Sequence, residues 1–150
     1  MDISKIIRAT HLFEFVSDDI VAGMSKAAKE MKFSRGELIF DEEQEAEYLY
    51  ILLEGKINMG VSLTSKPTTV TVSVVNSPNM IFGWSSIVTP YRFTAFALCD
   101  EDTKVLAIPG ETVLDLLETD PPTAYTVMKR LTELISSRLR DSRMVMLRTL

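Results

Sequence analysis

Side chains able to act as nucleophiles or soft metal ligands are scarce in this sequence. The 150 residues include one cysteine, Cys99, and one histidine, His11. Single residues of these types cannot supply a Cys/His zinc site, and a lone cysteine cannot form an intrachain disulfide. His11 lies in the run Thr10-His11-Leu12-Phe13, which is typical of a joint between helices, so we expect it to be structural. We therefore predict no metal site and no serine–histidine or cysteine–histidine catalysis.

Carboxylates are plentiful but crowd into one short stretch, which contains Asp41, Glu42, Glu43, Glu45 and Glu47. Such density is typical of a solvated turn, or at most of a weak cation site. No motif places a nucleophile beside a base, the arrangement that covalent catalysis requires. We therefore predict that the protein is not an enzyme.

Length and charge restrict the class of protein further. A chain of 150 residues with 46% hydrophobic residues can bury one ordinary core, so we expect one domain over residues 1–150. The net charge of −5 disfavours nucleic-acid binding, because phosphate contacts require a basic surface. No apolar run approaches the roughly 20 residues needed to cross a bilayer, and the N-terminus does not resemble a signal peptide. We expect a cytoplasmic protein without a membrane partner.

Local patterns predict a helix first and short strands after it. Ser17 is a good N-cap, and apolar residues follow it at helical spacing: Ile20, Met24, Ala27, Ala28 and Met31. Beyond residue 33 the period changes, and β-forming runs between turns predict strands at 38–40, 48–53, 57–61, 68–75, 93–98 and 104–108. No helix separates these strands, which favours a sandwich or barrel over a parallel sheet.

The C-terminal part is predicted to be helical again. A short helix follows Pro109-Gly110, and Pro121-Pro122 ends it and can begin the next helix. Residues 123–148 lack proline and glycine, and a helix of about 25 residues is about 37 Å long. A mostly apolar stripe runs along this helix, with one member every three or four residues and with Arg138 beside it. Its members are Met128, Leu131, Ile135, Leu139, Ser142 and Met146.

This helix is longer than a small β-domain needs to cover itself. The stripe therefore predicts a partner helix, most simply the same helix of a second copy, and hence a homodimer. The alternative is that the stripe covers only the domain's own core. The arginines of this helix are expected to form a solvated face, the late ones offsetting the negative end of the helix dipole: Arg138, Arg140, Arg143 and Arg148.

The order of these elements and several motifs resemble the cyclic nucleotide-binding domain. The pattern Phe33-x-x-Gly36-Glu37-x-Ile39, then Tyr48-x-Tyr50-Ile51-x-x-x-Gly55-x-Ile57, is similar to the first half of that family. Phe82-Gly83 followed by Arg92-x-Thr94-Ala95 is similar to its phosphate-binding cassette. The likeness spans about residues 12–140 and is strongest to the sensor domains of bacterial Crp/Fnr-type regulators.

The resemblance implies an α+β, mainly β fold. It consists of an eight-stranded β-roll, or jelly roll, with N-terminal helices and a long C-terminal helix. Residues 12–108 would hold the N-terminal helices and the roll, 109–120 a hinge helix, and 121–150 the long helix.

The resemblance also implies a site for the phosphate of a cyclic nucleotide. Gly83 would let the backbone approach the anion, the next turn would donate N–H groups, and Arg92 would bind the phosphate oxygens. The implied ligand-binding residues are Phe82, Gly83, Trp84, Ser85, Ser86, Ile87, Arg92, Phe93 and Thr94. Trp84 replaces the family's glutamate, and its indole cannot accept a hydrogen bond from the ribose hydroxyl.

Two functions follow from this likeness. The first is a small-ligand-sensing regulatory domain that binds cAMP, cGMP or another small anion and signals through its C-terminal helix. The second is a protein-interaction and dimerisation module that has kept the fold without the ligand. Crp/Fnr-type regulators carry a winged helix-turn-helix after the long helix. This sequence shows none, so we expect no direct nucleic-acid contact, output through a separate effector protein, and no cofactor.

Overall fold

Two helices precede the strands and two follow them. The computed structural model describes residues 1–64 and 67–149. The N-terminal helices are α1 (Ile3–Arg8) and α2 (Asp18–Ala27), and the C-terminal helices are α3 (Gly110–Glu118) and α4 (Pro121–Thr149). Between them lie a short 3-10 helix (Trp84–Ile87) and the strands β1 (Lys29–Phe33), β2 (Leu38–Phe40), β3 (Tyr48–Glu54), β4 (Ile57–Ser62), β5 (Thr69–Val75), β6 (Ile81–Phe82), β7 (Phe96–Cys99) and β8 (Thr103–Pro109).

Within the described ranges, the strands form two antiparallel sheets of four strands each. One has the order β1-β8-β3-β6, and the other has the order β2-β7-β4-β5. Strand β8 lies between β1 and β3, where Val105 pairs with Met31 and Ala107 pairs with Tyr50. The predicted eight-stranded β-roll with helices at both ends is confirmed.

The core has two layers because the first sheet is covered on both faces. Leu49 and Ile51 of β3 belong to a cluster that includes Phe13 and the apolar faces of the helices. Tyr50 and Leu52 alternate with them and belong to a second cluster, which lies between the sheets. Burial on both faces explains why this strand has a continuous apolar run instead of an alternating one.

Helix α2 begins where the sequence predicts and ends earlier. Ser17 Oγ accepts a hydrogen bond from the backbone N–H of Ile20 at 3.3 Å, as an N-cap should. The prediction that the helix continues to Met31 was wrong. Ala28 has extended backbone angles of −72° and 147°, and Met31 lies on β1, paired with Val105. Pairing with β8, far away in the sequence, outweighs the local helical spacing.

Helix α4 is the longest element, with 29 residues and hence a length of about 43 Å. Asp120 precedes its first residue, Pro121, and accepts a hydrogen bond from the backbone N–H of Thr123 at 3.4 Å. Val127 and Leu131 are buried in the cluster that covers the first sheet, so the first half of α4 is anchored on the domain. Among the described residues, no helix combines the length and the hydropathy that a membrane span requires.

Candidate ligand-binding cavity

A cavity of about 230 Å³ lies between the β-roll, the 3-10 helix and α4. Its apolar lining comes from Phe40, Met59, Val72, Trp84, Phe93, Ala95, Ile135 and Leu139. Its remaining lining residues are Ser73, Gly83, Ser85, Thr94, Arg138 and Ser142. The volume is just below the range of about 300–1,000 Å³ that is typical of small-molecule sites, so the cavity suits a small ligand.

One end of the cavity is formed by a turn that begins at Gly83. This residue has a φ of 78°, in the left-handed region. A Cβ there would lie 2.8 Å from Cδ2 of Tyr50 and 3.1 Å from the carbonyl oxygen of Tyr48, so glycine is required. Ser86 closes the turn, because its Oγ donates to the carbonyl oxygen of Gly83 at 2.8 Å. The next residue on the cavity side, Ser85, is left to face a ligand.

The structure brings part of the predicted ligand-binding set to this cavity. Five of those residues line it: Gly83, Trp84, Ser85, Phe93 and Thr94. Phe82 and Ile87 are buried in the two apolar clusters, and the Ser86 hydroxyl is used within the turn. These three residues hold the cassette in place without facing the cavity.

Arg92, which the resemblance implies as the phosphate ligand, lies outside the cavity lining. Its side chain is exposed, and its Nη1 donates to the carbonyl oxygen of Glu43 at 2.9 Å. The backbone of Arg92 also forms an isolated β-bridge with Glu45. Contact between a phosphate and Arg92 stays a prediction, and it would require the side chain to leave Glu43.

The cation that does line the cavity is Arg138 of α4, so the prediction that Arg138 lies on a solvated face was wrong. Its Cζ lies 5.5 Å from the centre of the Trp84 ring, within cation–π range. Its Nη1 donates to Ser73 Oγ of β5 at 3.1 Å. One turn further along α4, Ser142 Oγ donates to the carbonyl oxygens of Arg138 at 3.0 Å and of Val72 at 3.4 Å. These contacts hold α4 across the mouth of the β-roll.

The electrostatic character of the cavity follows from this one cation. No described residue that lines the cavity is a carboxylate. Burial lowers the pKa of the Arg138 guanidinium, and nearby Asp141 opposes that shift. Arginine remains protonated despite such a shift, because a guanidinium is not deprotonated in proteins. The cavity therefore favours an anionic or neutral ligand over a cation.

Stacked aromatic rings form part of the cavity wall. The rings of Phe40 and Phe93 lie 3.6 Å apart between centroids, with an angle of 7° between their planes. Tyr50 and Phe82 continue this stack inward, with their ring centroids 5.0 Å apart. A flat apolar group is the natural neighbour of such a surface. Sequence reasoning missed Phe40 and the β4 and β5 residues of the wall, since nothing local marks them as facing a ligand.

A second cavity lies on the other side of the cassette and is strongly acidic. It is about 650 Å³ in volume, and its carboxylates are Glu45, Glu47, Glu111, Asp115 and Glu118. The first two belong to the acidic stretch that the sequence singles out, whereas the last three belong to α3. In the described part of the chain, no three His, Cys, Asp or Glu side chains are placed to hold a metal ion.

His11 and Cys99 lie away from the candidate cavity. His11 is at the surface, with its Nδ1 3.7 Å from the Glu14 carboxylate, and its carbonyl oxygen accepts a hydrogen bond from Arg130. Cys99 is buried between the sheets, and burial raises the pKa of its thiol. Neither residue lines the cavity near Trp84.

The stripe along α4 divides among three environments. Leu131 is buried in the core, and Met128 and Ile135 pack against the same cluster. Arg138, Leu139 and Ser142 reach the cavity. Met146 is exposed to 57%. The first half of the stripe thus follows the alternative interpretation, coverage of the domain's own core, and the exposed remainder is what a partner helix could use.

The family model described as the cyclic nucleotide-binding domain matches residues 30–120, which is more than half of the chain. The chain belongs to the cyclic nucleotide-binding domain family. The matched residues contain every strand from β2 to β8, the 3-10 helix and α3. The resemblance that the sequence motifs indicated is confirmed.

Solved structures from several organisms share this fold. One is a Geobacter metallireducens GS-15 protein described as cyclic nucleotide-binding, which is 27% identical, with a TM-score of 0.77 over 93% of this chain and 99% of that chain. Another is the sensor domain of the transcriptional regulator DNR from Pseudomonas aeruginosa, 16% identical with a TM-score of 0.78 over 91% of both chains. A third is the regulatory domain of Toxoplasma gondii PKA with cAMP, 19% identical with a TM-score of 0.67 over 76% of this chain and 42% of that chain. No curated protein sequence matches the chain significantly.

Proposed function

We propose that this chain is a regulatory domain that binds cAMP, cGMP or another small anion and signals through α4. The observation that carries the proposal is the position of the cavity, between the cassette turn and α4. A ligand there would touch the β-roll and the helix at the same time. A ligand shifts a conformational equilibrium only if it binds one state more tightly, and a ligand that touches both parts does so when α4 covers the cavity in only one of the two states.

The comparisons support a regulatory role in outline. The Toxoplasma relative is a kinase regulatory domain with cAMP, and the Pseudomonas relative is the sensor domain of a transcriptional regulator. The cavity of this chain differs from a standard nucleotide site at Trp84, which supplies no acceptor for a ribose hydroxyl. An unpaired buried hydroxyl costs about 1–3 kcal/mol, or about one to two decades in affinity. Weak cyclic-nucleotide binding, or a preference for another small anion, is therefore expected.

Isothermal titration calorimetry with cAMP, cGMP and a panel of small anionic metabolites tests this proposal. Ala95→Phe should abolish binding of any active compound, because the added ring occupies the cavity that Ala95 lines. Val88→Phe is the matched control, since Val88 is exposed and outside that lining. Binding that survives Ala95→Phe would place the ligand elsewhere, and the absence of binding by every compound would refute ligand sensing by these compounds.

We further propose that the chain forms a homodimer through α4. Tyr125, Leu139 and Met146 are exposed to 71%, 57% and 57% and recur at heptad intervals, as residues of a helix–helix seam do. A copy of the same helix would cover them by two-fold symmetry.

Sedimentation velocity with a matched pair of variants tests the dimer. Leu139→Glu places a charge in the proposed seam and should give a monomer. Leu147→Glu is the control, because Leu147 is exposed to 63% and faces about 80° away around the helix. A monomeric wild-type chain at high concentration, or equal effects of the two changes, would refute the seam.

The second candidate function is an interaction module without a ligand. The contact between Arg138 and Trp84 favours it, because these two side chains already occupy part of the cavity. This function predicts a dimer that binds none of the compounds in the titration panel.

A further inference from the structure

The guanidinium of Arg138 forms no salt bridge with a described residue, in contrast to those of Arg8 and Arg130. Arg8 pairs with Asp18, and Arg130 pairs with Glu14 at 2.7 Å. Within the described residues, no carboxylate lies within salt-bridge distance of Arg138, and Asp141 of the same helix acts on it only at longer range. Its hydrogen bond with Ser73 uses one of five N–H donors. A half-buried cation with spare donors at a cavity wall is a site for an anion.

The remaining polar groups of the cavity are suited to the same anion. Ser85 and Thr94, which carry hydroxyl groups, line it as well. Apolar and aromatic groups, including Trp84 and Phe93, cover the rest of the wall. The complementary ligand therefore has one compact anionic group and a flat, largely apolar body.

From this geometry we infer that Arg138 of α4, and not Arg92 of the cassette, is the residue that binds the anionic group of the ligand. The inference rests on the proposed ligand-sensing function and specifies its chemistry: a phosphate or carboxylate monoanion on a flat body. Arg92 is exposed and already donates to the carbonyl oxygen of Glu43, whereas Arg138 is in the cavity wall. An anion held by Arg138 and by the cassette hydroxyls would bridge α4 to the β-roll.

The consequence is that the long helix itself recognises the ligand's charge. Arg138 is carried by α4, whereas Ser85 and Thr94 belong to the segments on either side of the cassette loop. A ligand that bridges them stabilises the arrangement in which α4 covers the cavity. A neutral analogue of the same shape would lack this bridge.

The test uses the full chain, with cAMP as the phosphate probe and 1-naphthoate as the carboxylate probe. Calorimetric titrations compare the wild type with Arg138→Gln and Arg92→Gln, which remove the same charge from the two competing positions. Loss of a charge-assisted hydrogen bond should weaken binding to Arg138→Gln by about tenfold or more, while Arg92→Gln stays within about threefold of the wild type. Arg140→Gln is a further control, because Arg140 is exposed on the same helix.

The outcomes separate this inference from the function on which it rests. Binding by the wild type, with the larger loss in Arg92→Gln or with equal losses, refutes the role of Arg138 and keeps the ligand-sensing function. Binding of neither probe by the wild type refutes both for this ligand class. Thermal unfolding of each variant shows whether it folds, and Arg138→Lys replaces Arg138→Gln if that variant is unfolded, with an intermediate loss expected because lysine keeps the charge without the planar fork.

Discussion

Replacing Gly83 by alanine should destabilise the protein more than the same replacement at Gly36. Both glycines have positive φ, 78° and 90°, so both variants carry the left-handed backbone penalty of about 1–2 kcal/mol. At Gly36 an added Cβ would meet no atom within 4 Å. At Gly83 it would lie 2.8 Å from the Tyr50 ring, closer than folded proteins tolerate.

The Tyr50 ring cannot easily move away from that Cβ. It is 5% exposed, and it stacks on Phe82 with a centroid distance of 5.0 Å and an interplanar angle of 15°. Overpacking of this kind costs about 1–3 kcal/mol. The free energy of unfolding should therefore fall by about 2–5 kcal/mol in Gly83→Ala and by about 1–2 kcal/mol in Gly36→Ala.

Urea unfolding followed by circular dichroism measures this difference directly. For a chain of this size, 1 kcal/mol corresponds to about 2–4 °C in Tm, so thermal scans should show a clear separation of the two variants. If Gly83→Ala lowers the free energy of unfolding no more than Gly36→Ala does, the Tyr50 ring moves freely and the aromatic stack does not hold the cassette turn in place.

Three further outcomes are expected. Iodide should quench the emission of Trp84 less in Arg138→Gln than in the wild type, because the guanidinium beside the indole attracts this anionic quencher. Quenching by neutral acrylamide should stay nearly unchanged. Equal iodide quenching in the two proteins would contradict the contact between these side chains. Burial raises the pKa of the Cys99 thiol above its ordinary value of 9.0, so the folded state holds that proton more tightly than the unfolded state does. The stability that the protonated thiol contributes is therefore present below pH 9 and is lost as the pH rises through the pKa of the folded state. The free energies of unfolding of the wild type and Cys99→Ala should converge at alkaline pH, and a constant difference between them would contradict this. The net charge of −5 predicts no nanomolar retention of duplex DNA at physiological salt, which an electrophoretic mobility assay measures.

Local sequence patterns determined the elements whose causes are themselves local. Ser17 begins α2 because its hydroxyl accepts from an N–H three residues away, and Pro121 begins α4 because proline suits a first helical turn. The alternation of valine and threonine predicts β5, which forms at Thr69–Val75. The likeness of spaced motifs to a known family identified the β-roll as a whole.

The tertiary structure decided which residues face the cavity. Met31 sits on a strand because it pairs with Val105, and Arg92 turns outward because the carbonyl oxygen of Glu43 accepts its hydrogen bond. Arg138 reaches the cavity because α4 packs across β5, where Ser73 accepts from its guanidinium. Each of these partners is tens of residues away in the sequence, so no local spacing encodes the contact. The sequence by itself determined the cyclic nucleotide-binding fold, and long-range packing determined which arginine its cavity presents.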